Sequence, residues 1–379
     1  MGNPDVVVIG AGAAGCASGY FLAREGCKVT LIEREAIASH SSGFAYGGLQ
    51  PLFGTGIPQM LPLALESLRL HGEVHPLLQE ETGIDTFFRP RIALRLALTL
   101  EEARRFQADL PWQQNAEGLT ARWLGPEHLF ALEPRLSRHL VGATYIEGTA
   151  SLDSYRFVLA LARAVEKRGG QFRHGNAVGF KARDGHVEGV LLESGKVVPC
   201  SSVVVAMGPW SGEASRWLEV PVPVEPLKGQ LVHLRLPGPP LHCAPAWGPC
   251  VTSSKPDGLT WIGTTEERAG FDERPTPEGR QAILESFWGV LSSMGEAEVV
   301  RQTACLRPVS PDGLPILGPV QGWEGVYIAT GGGRKGILLS LGMGRIIARL
   351  LTGQSVPYDL APYSLTRFMR EKGDKGGAS

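Results

Sequence analysis

The chain opens on Val6-Val7-Val8-Ile9-Gly10-Ala11-Gly12-Ala13-Ala14-Gly15, in which β-branched residues run straight into a G-x-G-x-x-G. A helical pattern follows at once over residues 16–26. This order leaves little choice of fold: a buried strand, a tight turn, and a helix packed back on the strand. Gly10 permits the turn, Gly12 lets the backbone approach a pyrophosphate, and Gly15 lets the helix sit close to the sheet. The first helical turn, with Ala13 and Ala14, offers unpaired N–H groups and a positive dipole end to phosphates. A second apolar strand over residues 29–32 ends at Glu33, whose carboxylate is placed to accept a ribose hydroxyl. Residues 5–33 therefore read as a dinucleotide-binding βαβ unit. Arg34 follows, either near an adenine or simply solvated.

The 379 residues are enough for a large core and two domains. The 37 basic and 38 acidic residues give a net charge of −1 and are spread along the chain. No basic stripe argues for nucleic acid, and no polybasic amphipathic helix argues for an anionic membrane. The N-terminal apolar stretch is too short for a signal peptide, and no run of about twenty apolar residues suggests a spanning helix. A soluble protein of the cytoplasm is the expectation. The six cysteines form no CxxC, and the nine histidines are unpaired at metal spacing, so no metal site is expected. Cys243 and Cys250 are close enough in sequence to meet across a loop, though a reducing compartment argues against a disulfide.

Residues 39–56, rich in Ser and Gly, read as a loop packed on a ligand, and residues 58–82 as a long helix. Over 87–149 the pattern changes, with a strand near 92–98 and helices at 101–110 and 126–132. An amphipathic helix over 153–168 precedes short strands near 171–174, 178–182, 187–192 and 203–206, with Asp184-Gly185 and Ser194-Gly195 as hairpin turns. Residues 222–310 are β-rich with one helix near 277–292, and the end is strand, glycine loop and helix over 325–351. The division that follows is discontinuous: residues 1–86, 150–220 and 311–370 in a nucleotide-binding domain, 87–149 and 221–310 in a substrate domain, and 371–379 as a flexible tail.

Three further blocks accompany the fingerprint. They are Val203-Val204-Val205-Ala206-Met207-Gly208-Pro209-Trp210-Ser211, then Leu306-Arg307-Pro308-Val309-Ser310-Pro311-Asp312-Gly313-Leu314-Pro315-Ile316-Leu317-Gly318, then Val326-Tyr327-Ile328-Ala329-Thr330-Gly331-Gly332-Gly333-Arg334-Lys335-Gly336-Ile337. In order and spacing, over essentially the whole chain, these resemble the D-amino acid oxidase family of FAD-dependent amine and amino acid oxidoreductases. Glycine oxidase and monomeric sarcosine oxidase belong to that family. The resemblance implies an α/β (α+β) fold like that of para-hydroxybenzoate hydroxylase, with a Rossmann-like FAD-binding domain and a mixed β-sheet substrate domain lying over the flavin. It implies hydride removal from a C–N bond, giving an imine. The expected substrate is a small anionic amine or amino acid of the glycine, sarcosine, iminodiacetate or D-amino acid class. Oxygen, a quinone and an electron-transfer protein stay open as electron acceptors. A flavin-dependent oxidase of carboxymethylamino groups on tRNA is the alternative of the same fold.

The resemblance also assigns residues. Ser41, Ser42 and Gly43 match a loop beside the pyrophosphate, and Gly47, Gly48 and Leu49 continue it towards the isoalloxazine. Val178 matches a backbone contact to adenine, and Gly208 with Trp210 a second approach to the cofactor. Amides near Gly333, Gly336 and Ile337, at the start of the last helix, would face the flavin O2/N1 edge. Gly332 stands where the family often has histidine. Arg307 matches the arginine that grips a substrate carboxylate. Lys335 aligns with a substrate lysine of sarcosine-oxidase-like members, and Arg334 with an arginine of glycine-oxidase-like ones. Cys305 lies where the former attach FAD covalently and the latter have glycine and hold it without a bond. No histidine, aspartate or glutamate stands out as a catalytic base.

Overall fold

A computed structural model describes residues 5–53 and 58–369; the expected tail, 371–379, and the end of the 39–56 loop lie outside them. The first strand, Asp5–Ile9, sits inside a six-stranded sheet. It pairs in parallel with Lys28–Glu33 on one side and Ser202–Val205 on the other. Val326–Thr330 and Gln171–His174 extend the parallel set, and Ile316–Pro319 closes one edge antiparallel. Every residue from Val6 to Ile9 is buried, because both faces are covered. Val6 and Val8 face a layer of helices, while Val7 and Ile9 face an antiparallel three-stranded meander over residues 177–199.

Four helices make the first layer: Ala13–Arg24, Leu61–Thr82, Ser154–Lys167 and the closing helix Gly336–Leu351. Their starts follow local chemistry. Asp153 caps its helix by accepting the N–H of Arg156 at 2.9 Å. Thr99 and Glu102 form a reciprocal capping box on Leu100–Gln114. The closing helix lies against Ala13–Arg24 so tightly that a Cβ on Gly344 would stand 2.5 Å from the Ala17 carbonyl carbon.

The second sheet has nine strands. Glu298–Val309 pairs with Glu225–Arg235 along its whole length, and Thr260–Gly263, Cys250–Ser254, Cys243–Trp247, Arg89–Ala97 and Gly142–Ser151 follow in order. Gly48–Leu49 forms one edge and Thr120–Leu124 pairs on Gly142–Ser151. The Gly48–Leu49 strand comes from the segment read as ligand-packed loop, and Gly142–Ser151 runs across the 149/150 boundary. Leu94, Val232, Ile262 and Phe287 fill the core behind this sheet. The mixed α/β architecture expected from the sequence is thus present.

All six cysteines are free and buried. The register sets Cys250 opposite Trp247, so Cys243 is displaced along its strand and the two thiols do not face. Among the described residues, no helix is long and apolar enough to cross a membrane.

Gly344→Ala is expected to lower stability by about 1–3 kcal/mol, although alanine is the better helix former. The added methyl has only backbone to displace. A urea titration of the protein reads the shift in midpoint.

Candidate active site

A cavity of about 670 Å³ runs from the C-terminal ends of the parallel strands to the facing side of the nine-stranded sheet. Its near wall is the glycine turn. Gly10 has φ +106°, and a Cβ there would run into the Ala206 carbonyl oxygen. A Cβ on Gly15 would overlap the Gly10 carbonyl oxygen, so Gly15 serves helix packing and does not line the cavity. Gly12, Ala13 and Ala14 do line it. Glu33 holds the turn in shape: its Oε2 accepts the Ala11 N–H at 2.8 Å and its Oε1 the Glu35 N–H at 3.1 Å.

Ser41 and Ser42 occupy a short helix, Ser41–Phe44, that ties the turn to the second sheet. Ser42 Oγ accepts the Ala13 N–H at 2.9 Å, and the Ser41 hydroxyl donates to the Leu306 carbonyl. Gly43 packs on the Ala38 carbonyl and Leu49 is fully buried, so both lie behind the wall, whereas Gly47 and Gly48 are on it. Gly208, at φ +54°, and Gly336 line the cavity with open space where a Cβ would stand. Trp210 lies under the Arg34 guanidinium at 4.1 Å, with His40 and Phe271 against its ring. Val178, expected to offer backbone atoms to an adenine, is 39% exposed, and its neighbour Ala177 lines the cavity with Gly175 and Asn176. The strand alternates, so only one of the two side chains faces inward.

Arg307 crosses the far wall. It is paired with Leu227, and its guanidinium lies over Gly229 on the next strand, where any Cβ would overlap it. Nη2 donates to Thr264 Oγ1 at 2.5 Å and to the Thr265 carbonyl at 3.2 Å. Nη1 is buried without a hydrogen-bond partner. Burial lowers the Arg307 pKa from its ordinary value, yet a guanidinium stays charged.

The neighbouring cations are engaged. Arg334 forks onto both oxygens of Glu266, and that hydrogen-bonded pairing holds the Glu266 carboxyl below its ordinary range. Lys335 Nζ donates to the carbonyls of Gln50, Pro51 and Phe53 at 3.0, 3.2 and 2.8 Å. Burial pulls that ammonium down to about 8. Tyr46 lines the cavity, and burial pushes its phenol up to about 12. Cys305 lies two residues from Arg307 on the same wall, its thiol raised by burial to about 11.

Gly229, Thr264, Thr265 and Glu266 escaped the sequence reading. A glycine inside a strand, in Lys228-Gly229-Gln230, was the available sign of a close approach. Buried Lys228 points the other way, Nζ lying 3.8 Å from Glu267 and 3.6 Å from Asp272, and so supports the loop that carries Glu266.

An open cradle of backbone at two helix starts, with an acid at the second strand end, fits a dinucleotide with a tricyclic ring. The family described as FAD dependent oxidoreductase (DAO) matches residues 5–350. Glycine oxidase of Geobacillus kaustophilus strain HTA426 is 32% identical over 97% of this chain and 98% of its own length. The crystal structure of a glycine oxidase from the same species superposes with a TM-score of 0.91 at 30% identity, covering 98% of this chain and all of that one. That of iminodiacetate oxidase from Chelativorans sp. BNC1 gives 0.88 at 25% identity, covering 95% and 98%.

A thiol held near 11 is a poor nucleophile at neutral pH. Acid precipitation of the yellow protein is therefore expected to leave FAD in the supernatant. Colour retained by the pellet, and lost in Cys305→Ser, would establish the bond instead.

Proposed function

The chain belongs to the DAO family of FAD-dependent oxidoreductases, and on that footing we propose that it oxidises the C–N bond of a small amino acid with one carboxylate, glycine and sarcosine foremost. The observation that carries this reading is Arg307 Nη1, buried at the cavity wall and without a partner. A charged donor left unpaired in such a place is costly, and a substrate carboxylate relieves the cost. Of its neighbours, Lys335 spends its three N–H groups on three carbonyls, and Arg334 directs Nε and Nη2 at Glu266. Catalytic assignment therefore rests on Arg307, with Arg334 and Lys335 holding the walls. The tRNA-modifying alternative draws no support from the relatives.

Gly12, Ala13 and Ala14 would hold the phosphates of FAD and Glu33 its ribose, and Gly336 and Ile337 would border the ring. When bound it supplies the two-electron acceptor for the C–H bond beside the amine; the resulting imine is hydrolysed to a carbonyl compound and an amine. Arg307 fixes the carboxylate and so the α-carbon, an orientation worth much of the barrier. Beside Arg307, Glu266 is ionised and engaged by Arg334, and burial keeps the proton on Tyr46 up to about 12. On this reading the substrate amine arrives neutral.

Arg307→Ala is expected to raise KM for glycine roughly 10²-fold, the loss of one to two charge-assisted hydrogen bonds, with FAD retained. Steady-state kinetics with a flavin spectrum decide it, and unchanged KM would remove Arg307 from the site. In the wild type, kcat/KM should rise with pH on a single limb that moves with the amine pKa of the substrate chosen. A limb fixed in position for amines of different basicity would point to a base on the enzyme.

A further inference from the structure

Two histidines behind the closing helix take no part in the site described so far. His71 and His75 lie one turn apart on Leu61–Thr82, 0% and 3% exposed. His71 Nε2 stands 3.1 Å from the carbonyls of both Ile337 and Leu338. His71 Nδ1 lies 2.9 Å from His75 Nε2, and His75 Nδ1 2.6 Å from the hydroxyl of buried Thr86. Phe157 packs against both rings and Phe88 stacks on His75.

The direction of this chain follows from its ends. Carbonyls only accept, so His71 Nε2 carries a proton and donates it. Burial pulls His71 down to about 4 and His75 well below its ordinary value, so each ring is neutral and has a single N–H. His71 Nδ1 must then accept from His75 Nε2–H, and His75 Nδ1 from the Thr86 hydroxyl. Three side chains thus point one way, from Thr86 to the first turn of the closing helix.

Ile337 and Leu338 both line the cavity. The Ile337 carbonyl shares a peptide group with the N–H of Leu338, which belongs to the first turn of the helix and has no partner within it; the next amide, Leu339, already bonds back along the helix. A donor on a peptide carbonyl strengthens the same peptide's N–H. We propose that His71 is a positioning residue for the flavin: by donating to these carbonyls it fixes the first turn of the closing helix and strengthens the Leu338 amide that this turn offers to the ring edge where negative charge gathers on reduction. The proposal rests on the reading above that the ring lies against this turn.

His71→Leu removes the donor and keeps apolar bulk, and His71→Gln restores a donor. The midpoint potential of bound FAD, measured anaerobically against reference dyes, needs no amino acid substrate. It is expected to fall in H71L and to return towards wild type in H71Q. Reduction by glycine should slow roughly two- to fivefold in H71L, since such polarisation is a fraction of a charge-assisted bond. Equal potentials in H71L and wild type overturn the proposal. The C2 carbonyl stretch of bound, isotope-labelled FAD separates the two possible failures. An unbonded frequency in the wild type takes the ring away from the turn; a bonded one that H71L leaves unaltered keeps the ring there and removes His71. Should H71L not retain FAD, Thr86→Val decides from the other end: a lowered potential supports the chain, and an unchanged one overturns it.

Discussion

Backbone meeting backbone at the end of the first strand is the constraint from which the remaining structure follows. The Gly10 turn passes against the Ala206 carbonyl, and Gly15 rests on the Gly10 carbonyl. With no side chains between them, strand, turn and helix reach van der Waals contact, and the helix start is brought level with the sheet's C-terminal edge. Gly344 repeats the device one layer out, setting the closing helix on the first. Two helix starts then border one cavity, and their unpaired amides suit an electron-rich, phosphate-bearing cofactor.

Charge is handled by a different rule. Nearly every cation around the cavity is given a partner by the protein itself: Arg334 has Glu266, Lys335 has three carbonyls, Lys228 has Glu267 and Asp272 nearby. Arg307 is half provided for, anchored through Nη2 and open at Nη1. Stability favours saturation and binding requires its absence, so the site is legible as the place where pairing stops.

The cofactor half of the molecule could be read from the sequence because its signals are local. A buried strand, three spaced glycines and a terminal acid each act on neighbours within one βαβ unit. The facing sheet was harder. Thr120–Leu124 and Gly142–Ser151 went unread because Gly142, Gly148 and several threonines interrupt any run of β-branched apolar residues, and their strand character comes from pairing with distant partners. Arg307 was found by its motif, but its setting was not: Gly229 and Thr264 reach it across strands that only the sheet register brings together.

The loop after Thr260–Gly263 touches almost every charged group that decides what the cavity admits. Thr264 and Thr265 hold Arg307, Glu266 holds Arg334, Glu267 and Asp272 lie by Lys228, and Glu273 reaches His40. None of these residues belongs to the glycine turn or to Glu33, so the charges on the far wall and the backbone geometry of the turn lie on separate stretches of chain. Over evolutionary time a short surface segment can be rewritten, exchanging one acid for a neutral residue and freeing one cation, while the expensive backbone geometry beneath it stays untouched. A lineage built this way diversifies its diet by editing a loop and inherits its redox chemistry intact.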